Sequence, residues 1–101
     1  MSITVDALPE RVRASPDAVA QRLGDEMVLV NLKTDRILVL NRTGARFWEL
    51  VCVHQELSEI KRRLLQEFDI TESQLADEIA GFLTELNKEQ LIRPDDEGSG
   101  G

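Results

Sequence analysis

The sequence has few of the residues that usually carry chemistry or cross-links. It contains one cysteine, Cys52, and one histidine, His54, which excludes an internal disulfide and a cysteine-rich zinc site. Its longest apolar runs, which include Met27–Val30 and Ile37–Leu40, are far shorter than the roughly 20 residues of a membrane span. The first residues have neither the basic nor the apolar region of a secretory signal. We therefore expect a cytoplasmic protein with no membrane partner.

Positive charge is scarce. Lys and Arg number 12 against 19 Asp and Glu, which gives a formal net charge of -7 at pH 7. The acidic excess follows residue 66, whereas the first two thirds of the chain are nearly balanced. Because a nucleic-acid-binding protein needs a basic face to displace counterions from phosphates, we predict no nucleic-acid partner.

No group of residues has the spacing of a catalytic site. Cys52 lies on the apolar stripe of a predicted helix, where a buried and inert thiol is the usual role. His54 lies in a polar break after that helix. Adjacent carboxylates such as Asp77 and Glu78 point about 100° apart on a helix and do not converge. Since phosphate-binding and calcium-binding loops are also absent, we predict no catalytic residue, no metal and no cofactor.

The hydrophobic pattern changes from strands to helices near residue 41. Apolar runs joined by short polar turns predict three strands in an antiparallel meander, at Val19–Leu23, Met27–Leu32 and Ile37–Leu40. Helical spacing then predicts three helices, and Thr71 with Gln74 fits a capping box at the start of the third. A run of strands followed by a run of helices favours the α+β class, with a three-stranded antiparallel sheet followed by three helices.

The chain has room for one domain. Residues 1–18, with Pro9 and Pro16, are predicted to be a flexible N-terminal arm that includes a short extended piece. Residues 19–93 form the predicted domain. Residues 94–101 are predicted to be a flexible acidic and Gly/Ser tail.

The predicted third strand is the last of the meander, so one of its edges is expected to be open. An open edge offers unpaired N–H and C=O groups that can capture an extended peptide as a further strand. The alternatives are that the N-terminal arm covers this edge, that the edge is short enough to be tolerated uncovered, or that two copies of the chain pair through it. The basic residues around the strand (Lys33, Arg36, Arg42 and Arg46) would suit an acidic peptide.

One stretch resembles a known family. The run from Leu40 to Leu50 reads Leu-Asn-Arg-Thr-Gly-Ala-Arg-Phe-Trp-Glu-Leu and is similar to the PqqD-like family of peptide-recognition domains. Ile60 with Leu64, Phe68-Asp69 and the segment 79–92 fit the second half of the family pattern. The family often has glycine where Gln90 stands here. The resemblance covers roughly residues 19–93 and implies a winged-helix-like fold.

The resemblance also implies a binding site. Domains of this family bind the leader segments of ribosomally made, post-translationally modified peptides, with the leader added to the third strand and lying against the third helix. On this sequence the strand residues are Arg36, Ile37, Leu38, Val39 and Leu40. The implied helix residues are Ala76, Ala80 and Leu83, together with Ile79 on the adjoining core stripe. Whether Ile37 and Val39 or Leu38 and Leu40 face the groove is left open by the sequence.

The resulting functional hypothesis is a recognition protein without catalytic activity. It captures the leader of a precursor peptide, most simply in a lasso-peptide pathway, and delivers it to a leader-cleaving cysteine protease or another maturation enzyme. One alternative is the peptide carrier of pyrroloquinoline quinone biosynthesis, and another is a structural or regulatory homo-oligomer. The winged-helix shape also raises DNA binding, which the acidic third helix disfavours.

Overall fold

The computed structural model describes residues 8–94 of the 101-residue chain. It has five strands and three helices in the described range: β1 Val12–Ala14, β2 Ala18–Leu23, β3 Glu26–Asn31, β4 Arg36–Leu40, α1 Arg42–Val53, α2 Leu57–Glu67, α3 Glu72–Lys88 and β5 Ile92–Pro94. The predicted α+β class, a three-stranded antiparallel sheet followed by three helices, is confirmed. Nearly all of the predicted tail lies outside the described residues.

The main sheet is an antiparallel meander in the order β2-β3-β4. Val28 pairs with Val39, and Leu29 pairs with Leu38. Residues along a strand alternate between two faces, so Leu29 and Leu40 point into the core, where 0% and 3% of their surfaces are exposed. The other face of the sheet is open to solvent.

A second, two-stranded sheet pairs β1 with β5. Val12 of β1 is completely buried, so part of the segment predicted as an arm packs into the core. Ser15 N–H also donates to the Leu91 carbonyl at 2.8 Å. Strands of three residues show too little alternation to be recognised from sequence, which is why this pairing was not predicted.

Side-chain caps fix where two of the helices begin. Asn41 accepts a hydrogen bond from the backbone N–H of Gly44 at 2.9 Å and caps α1. Thr71 and Gln74 form the predicted capping box of α3, because Thr71 Oγ1 accepts from the Gln74 N–H and Gln74 Oε1 accepts from the Thr71 N–H. The second helix has no side-chain cap at Glu56. The start of α3, and hence the direction of its faces, therefore follows from local sequence.

The core lies between the main sheet and the three helices. Phe47 and Trp48 of α1 are buried at its centre, and Phe82 of α3 is packed against it with its ring centroid 5.6 Å from that of Phe47. Cys52, expected on the buried stripe, is instead exposed. It lies one position beyond buried Val51, which turns it away from the core since successive helical residues differ by about 100°.

The end of α3 contains a residue in the left-handed region. Gln90 has φ 59°, at the position where the resembled family often has glycine. A non-glycine residue in this conformation costs about 1 kcal/mol, so Gln90→Gly is expected to raise the free energy of unfolding by up to about 1 kcal/mol. Urea denaturation would measure the change. Gln90→Ala is the control and should give no gain, and an equal gain from both variants would contradict the explanation.

Candidate functional site

A groove runs between the outer edge of β4 and α3. Its volume is about 540 Å³, within the range of ligand-binding clefts. The β4 side contributes Leu38, Val39, Leu40 and the following Asn41, and the α3 side contributes Glu78, Gly81, Phe82 and Glu85. The groove therefore has an apolar floor, one wall that is a strand edge and one wall that carries two carboxylates.

The strand wall of the groove has an open edge. Within residues 8–94, β3 is the only strand that pairs with β4. The structure also decides the orientation that the sequence left open. Leu40 is buried and Leu38 is packed against the core, whereas Ile37 and Val39 are 62% and 55% exposed. Leu38 and Leu40 thus face the helices, and Ile37 and Val39 face solvent on the other side of the sheet.

The helix wall of the groove contains a gap at Gly81. A Cβ atom added at this glycine would meet no atom within 4 Å, so the space beside it is available to a ligand side chain. Next to it, the Phe82 ring is held in place by a close approach of α1. A Cβ atom at Gly44 would lie 3.0 Å from the Phe82 ring and 3.2 Å from the Leu40 Cβ. The glycine of the Thr-Gly-Ala motif therefore allows Phe82 and Leu40, which line the groove, to pack closely against α1.

The α3 residues implied by the family resemblance lie on the core side of that helix. Ala76, Ile79, Ala80 and Leu83 are between 0% and 8% exposed, and none of them is among the residues that line the groove. The groove face is formed by Glu78, Gly81, Phe82 and Glu85 at helical spacing. A glycine within a long helix, flanked by carboxylates one turn away on each side, was the available sequence signal for this face.

The basic residues near β4 are mostly engaged by carboxylates or an aromatic ring. Arg46 donates to Glu67 at 2.7 and 2.8 Å and to Glu49 at 3.2 Å. The Arg46 guanidinium holds the pKa of Glu67 below its usual value. Arg36 forms an ion pair with Glu89 at 2.9 Å. These arginines therefore leave little uncompensated positive charge beside the groove.

Arg42, the remaining arginine near the strand, lies over the ring of Phe68 at 5.3 Å from its centroid. This distance is within the range of a cation–π contact. The contact directs the guanidinium toward the break between α2 and α3. Arg42 accordingly lines the neighbouring hollow with Phe68 and Asp69, and it does not line the groove itself.

Asn31 ties the β3–β4 turn to the end of α3. Its amide nitrogen donates to the carbonyl oxygens of Glu89 and Gln90, both at 3.0 Å. Its amide oxygen accepts from the N–H groups of Lys33 at 2.9 Å and Thr34 at 3.3 Å. The residue is 2% exposed, and its four hydrogen bonds are partly buried. One side chain thus fixes the spacing of the two walls at one end of the groove.

The single cysteine lacks the environment of a reactive thiol. Partial burial and the nearby charge of Glu49 raise the pKa of the Cys52 thiol, which keeps it protonated at neutral pH. No cluster of three or more potential metal ligands occurs within residues 8–94. No helix in this range is both long and apolar enough to cross a membrane.

The fold and groove agree with a family match. The family model described as coenzyme PQQ synthesis protein D (PqqD) matches residues 26–92, which include the sheet edge, the three helices and the whole groove. The chain belongs to the PqqD family. No curated protein matches it significantly in sequence.

Two solved structures are similar to this chain. The structure of TbiB1 in complex with the TbiA(beta) leader peptide has a TM-score of 0.72 and 26% sequence identity, and the match covers 85% of this chain and 95% of that one. A lasso peptide synthetase B1 complexed with the leader peptide has a TM-score of 0.70 and 19% identity, covering 82% of this chain and 98% of that one. The second likeness concerns the fold alone.

Proposed function

We propose that this protein recognises the leader segment of a ribosomally made precursor peptide, in a lasso-type pathway, by adding it as a further strand to β4. The observation that carries the proposal is the groove itself, an open strand edge facing a helix that leaves space at Gly81. A similar chain, TbiB1, has the same fold and was solved with a leader peptide.

Strand addition divides affinity from selectivity. The backbone groups of Arg36–Leu40 pair with the backbone of any extended peptide, so they supply affinity with little regard to sequence. Every second side chain of the added strand enters the groove, at intervals of about 6.8 Å. Selection among peptides therefore rests with the groove residues of α3 and with Leu38 on the floor.

The role is recognition without catalysis. The protein presents the bound leader to a separate enzyme, a leader-cleaving cysteine protease or another maturation enzyme, and its own protonated Cys52 thiol takes no part. The proposed setting is the cytoplasm, where a ribosomal precursor first becomes available.

A second candidate is the peptide carrier of pyrroloquinoline quinone biosynthesis, which the description of the matching family favours. The lasso-type pathway is supported by a lasso peptide synthetase B1 of the same fold that was solved with the leader peptide, whereas TbiB1 supports leader binding in either pathway. The two candidates use the same groove and differ in the peptide, so one binding experiment separates them.

That experiment is a titration of isotope-labelled protein with a panel of leader peptides from both pathways, followed by backbone amide NMR. Shifts that concentrate on Arg36–Leu40 and on the groove face of α3 are expected, and the tightest peptide identifies the pathway. A free protein that already dimerises through β4 and binds no leader would contradict the proposal in favour of a homo-oligomer. Sedimentation of the free protein at high concentration measures that state directly.

Two substitutions of Gly81 distinguish an effect on leader binding in the groove from an effect on the stability of the fold. Gly81→Ala is expected to raise the free energy of unfolding by about 0.5–1 kcal/mol, because glycine is a poor residue inside a helix. Gly81→Leu should also keep the fold stable, but its side chain fills the space that a leader residue needs, and leader affinity should fall at least tenfold, or about 1.4 kcal/mol. Denaturation and fluorescence anisotropy measure the two quantities. Undiminished affinity of Gly81→Leu would exclude the groove as the binding site.

A further inference from the structure

We infer that the peptide segment held in this groove is cationic, with an apolar side chain seated beside Gly81 and a Lys or Arg side chain reaching Glu78, Glu85 or both. This inference rests on the proposed function, since it concerns which peptide the same groove selects. It assigns Glu78 and Glu85 as the residues that determine the charge of the ligand.

The charge of the groove is the first argument. Glu78 and Glu85 both line it, and neither forms an ion pair or a side-chain hydrogen bond with any residue in the described part of the chain. Asp69, Asp77 and Glu78 also line the adjoining hollow toward the start of α3, where Arg42 partly offsets their charge, whereas no basic residue of the described range lines the groove itself. A strand seated in the groove would displace water from these carboxylates, and a cation on that strand compensates them.

The state of the neighbouring arginines is the second argument. An acidic peptide would need free cations at the rim, but Arg36 is paired with Glu89 and Arg46 with Glu67 and Glu49. An acidic peptide would have to break these pairs and still lie against two carboxylates. Two of the four basic residues counted in the sequence are thus paired with carboxylates, and none of the four lines the groove, which disfavours the acidic ligand.

The distance between Glu78 and Glu85 on α3 predicts where basic residues occur along the bound peptide. Glu78 and Glu85 are seven residues apart on α3, a rise of about 10.5 Å, and Gly81 lies between them. In an added strand, the residues two before and two after a central groove-facing residue are about 13.5 Å apart. Lys and Arg side chains are long and flexible enough to bridge the difference between the separation of the two glutamates and the separation of the two strand residues. The fitting pattern is thus a basic residue, an apolar residue and a basic residue at alternate positions of the strand.

Three synthetic peptides of 11 residues test this inference. They share an alternating Thr/Val background and a central Leu, and they carry Lys, Gln or Glu at the positions two before and two after that Leu. Binding is measured by fluorescence anisotropy at low and high salt, and the contact site by amide shifts. The Lys peptide is expected to bind about tenfold more tightly than the Glu peptide at low salt, which corresponds to two exposed charge pairs. Its advantage should shrink as salt is added.

Charge-reversal variants locate the effect. In Glu78→Lys/Glu85→Lys the preference should invert, with the Glu peptide now the tightest. The matched control, Asp25→Lys/Glu72→Lys, makes the same change in net charge at exposed positions that do not line the groove, and it should keep the original order.

The outcomes separate this inference from the proposed function. Equal affinities of the three peptides, with shifts on β4, would overturn the inference while leaving strand addition intact. Inversion of the preference in the control variant would assign the effect to net charge and would also overturn it. Failure of every peptide to shift β4 would overturn it too, and the leader panel would then decide the proposed function separately.

Discussion

Replacing Asn31 by alanine is expected to lower the free energy of unfolding by about 3 kcal/mol. The substitution removes four hydrogen bonds of a side chain that is 2% exposed. It leaves two carbonyl oxygens at the end of α3 and two N–H groups of the β3–β4 turn without this partner. A fully buried unsatisfied group costs about 1–3 kcal/mol, and the cost is smaller for each of these partly buried groups because water reaches them in part. Urea denaturation followed by circular dichroism measures the loss.

The same substitution should weaken leader binding under conditions where the variant is still folded. Asn31 links the two elements that form the groove walls, so its loss loosens their spacing without removing a contact to the peptide. The matched control is Asn87→Ala, which removes an exposed asparagine from the same end of α3 and should change stability by no more than about 0.5 kcal/mol. A loss of less than 1 kcal/mol in Asn31→Ala would show that water replaces these bonds.

Proline substitutions at Leu38 and Val39 are expected to have opposite consequences. Consecutive N–H groups of an antiparallel strand point to opposite edges, so one of these residues donates toward β3 and the other toward the open edge. Proline at the residue that faces β3 removes a bond within the sheet and should destabilise the fold. Proline at the residue that faces the open edge should leave the protein folded and lower leader affinity by at least about tenfold.

The comparison needs controls for the lost side chains. Leu38→Ala and Val39→Ala keep the backbone donor, so they report what each side chain contributes on its own. Amide NMR spectra establish which proline variant is folded, and anisotropy with the best leader peptide measures its affinity. If the folded proline variant bound the leader as tightly as its alanine control, the peptide would not be held by the edge of β4.

The sequence determined most of the local structure. Short apolar runs joined by polar turns predicted the three strands of the main sheet, and helical spacing with the Thr71–Gln74 capping box predicted the helices. These signals depend on neighbours within a few residues, which is why they can be recognised without a structure. The run Leu40–Leu50 indicated the family, and the match over residues 26–92 confirms it. The open edge of β4 also followed from its place as the last strand of the meander.

Only the tertiary structure decided which residues line the groove. Helical periodicity identifies an apolar stripe but does not say where its border meets another element. The family resemblance implies groove positions at Ala76, Ile79, Ala80 and Leu83, and in the structure these residues lie toward the core. The gap at Gly81 and the pairing of Arg46 with Glu67 depend on where distant segments come to lie. The sequence determined the elements and the family because those signals are local, whereas the lining and charge of the site arise from contacts between residues far apart in the chain.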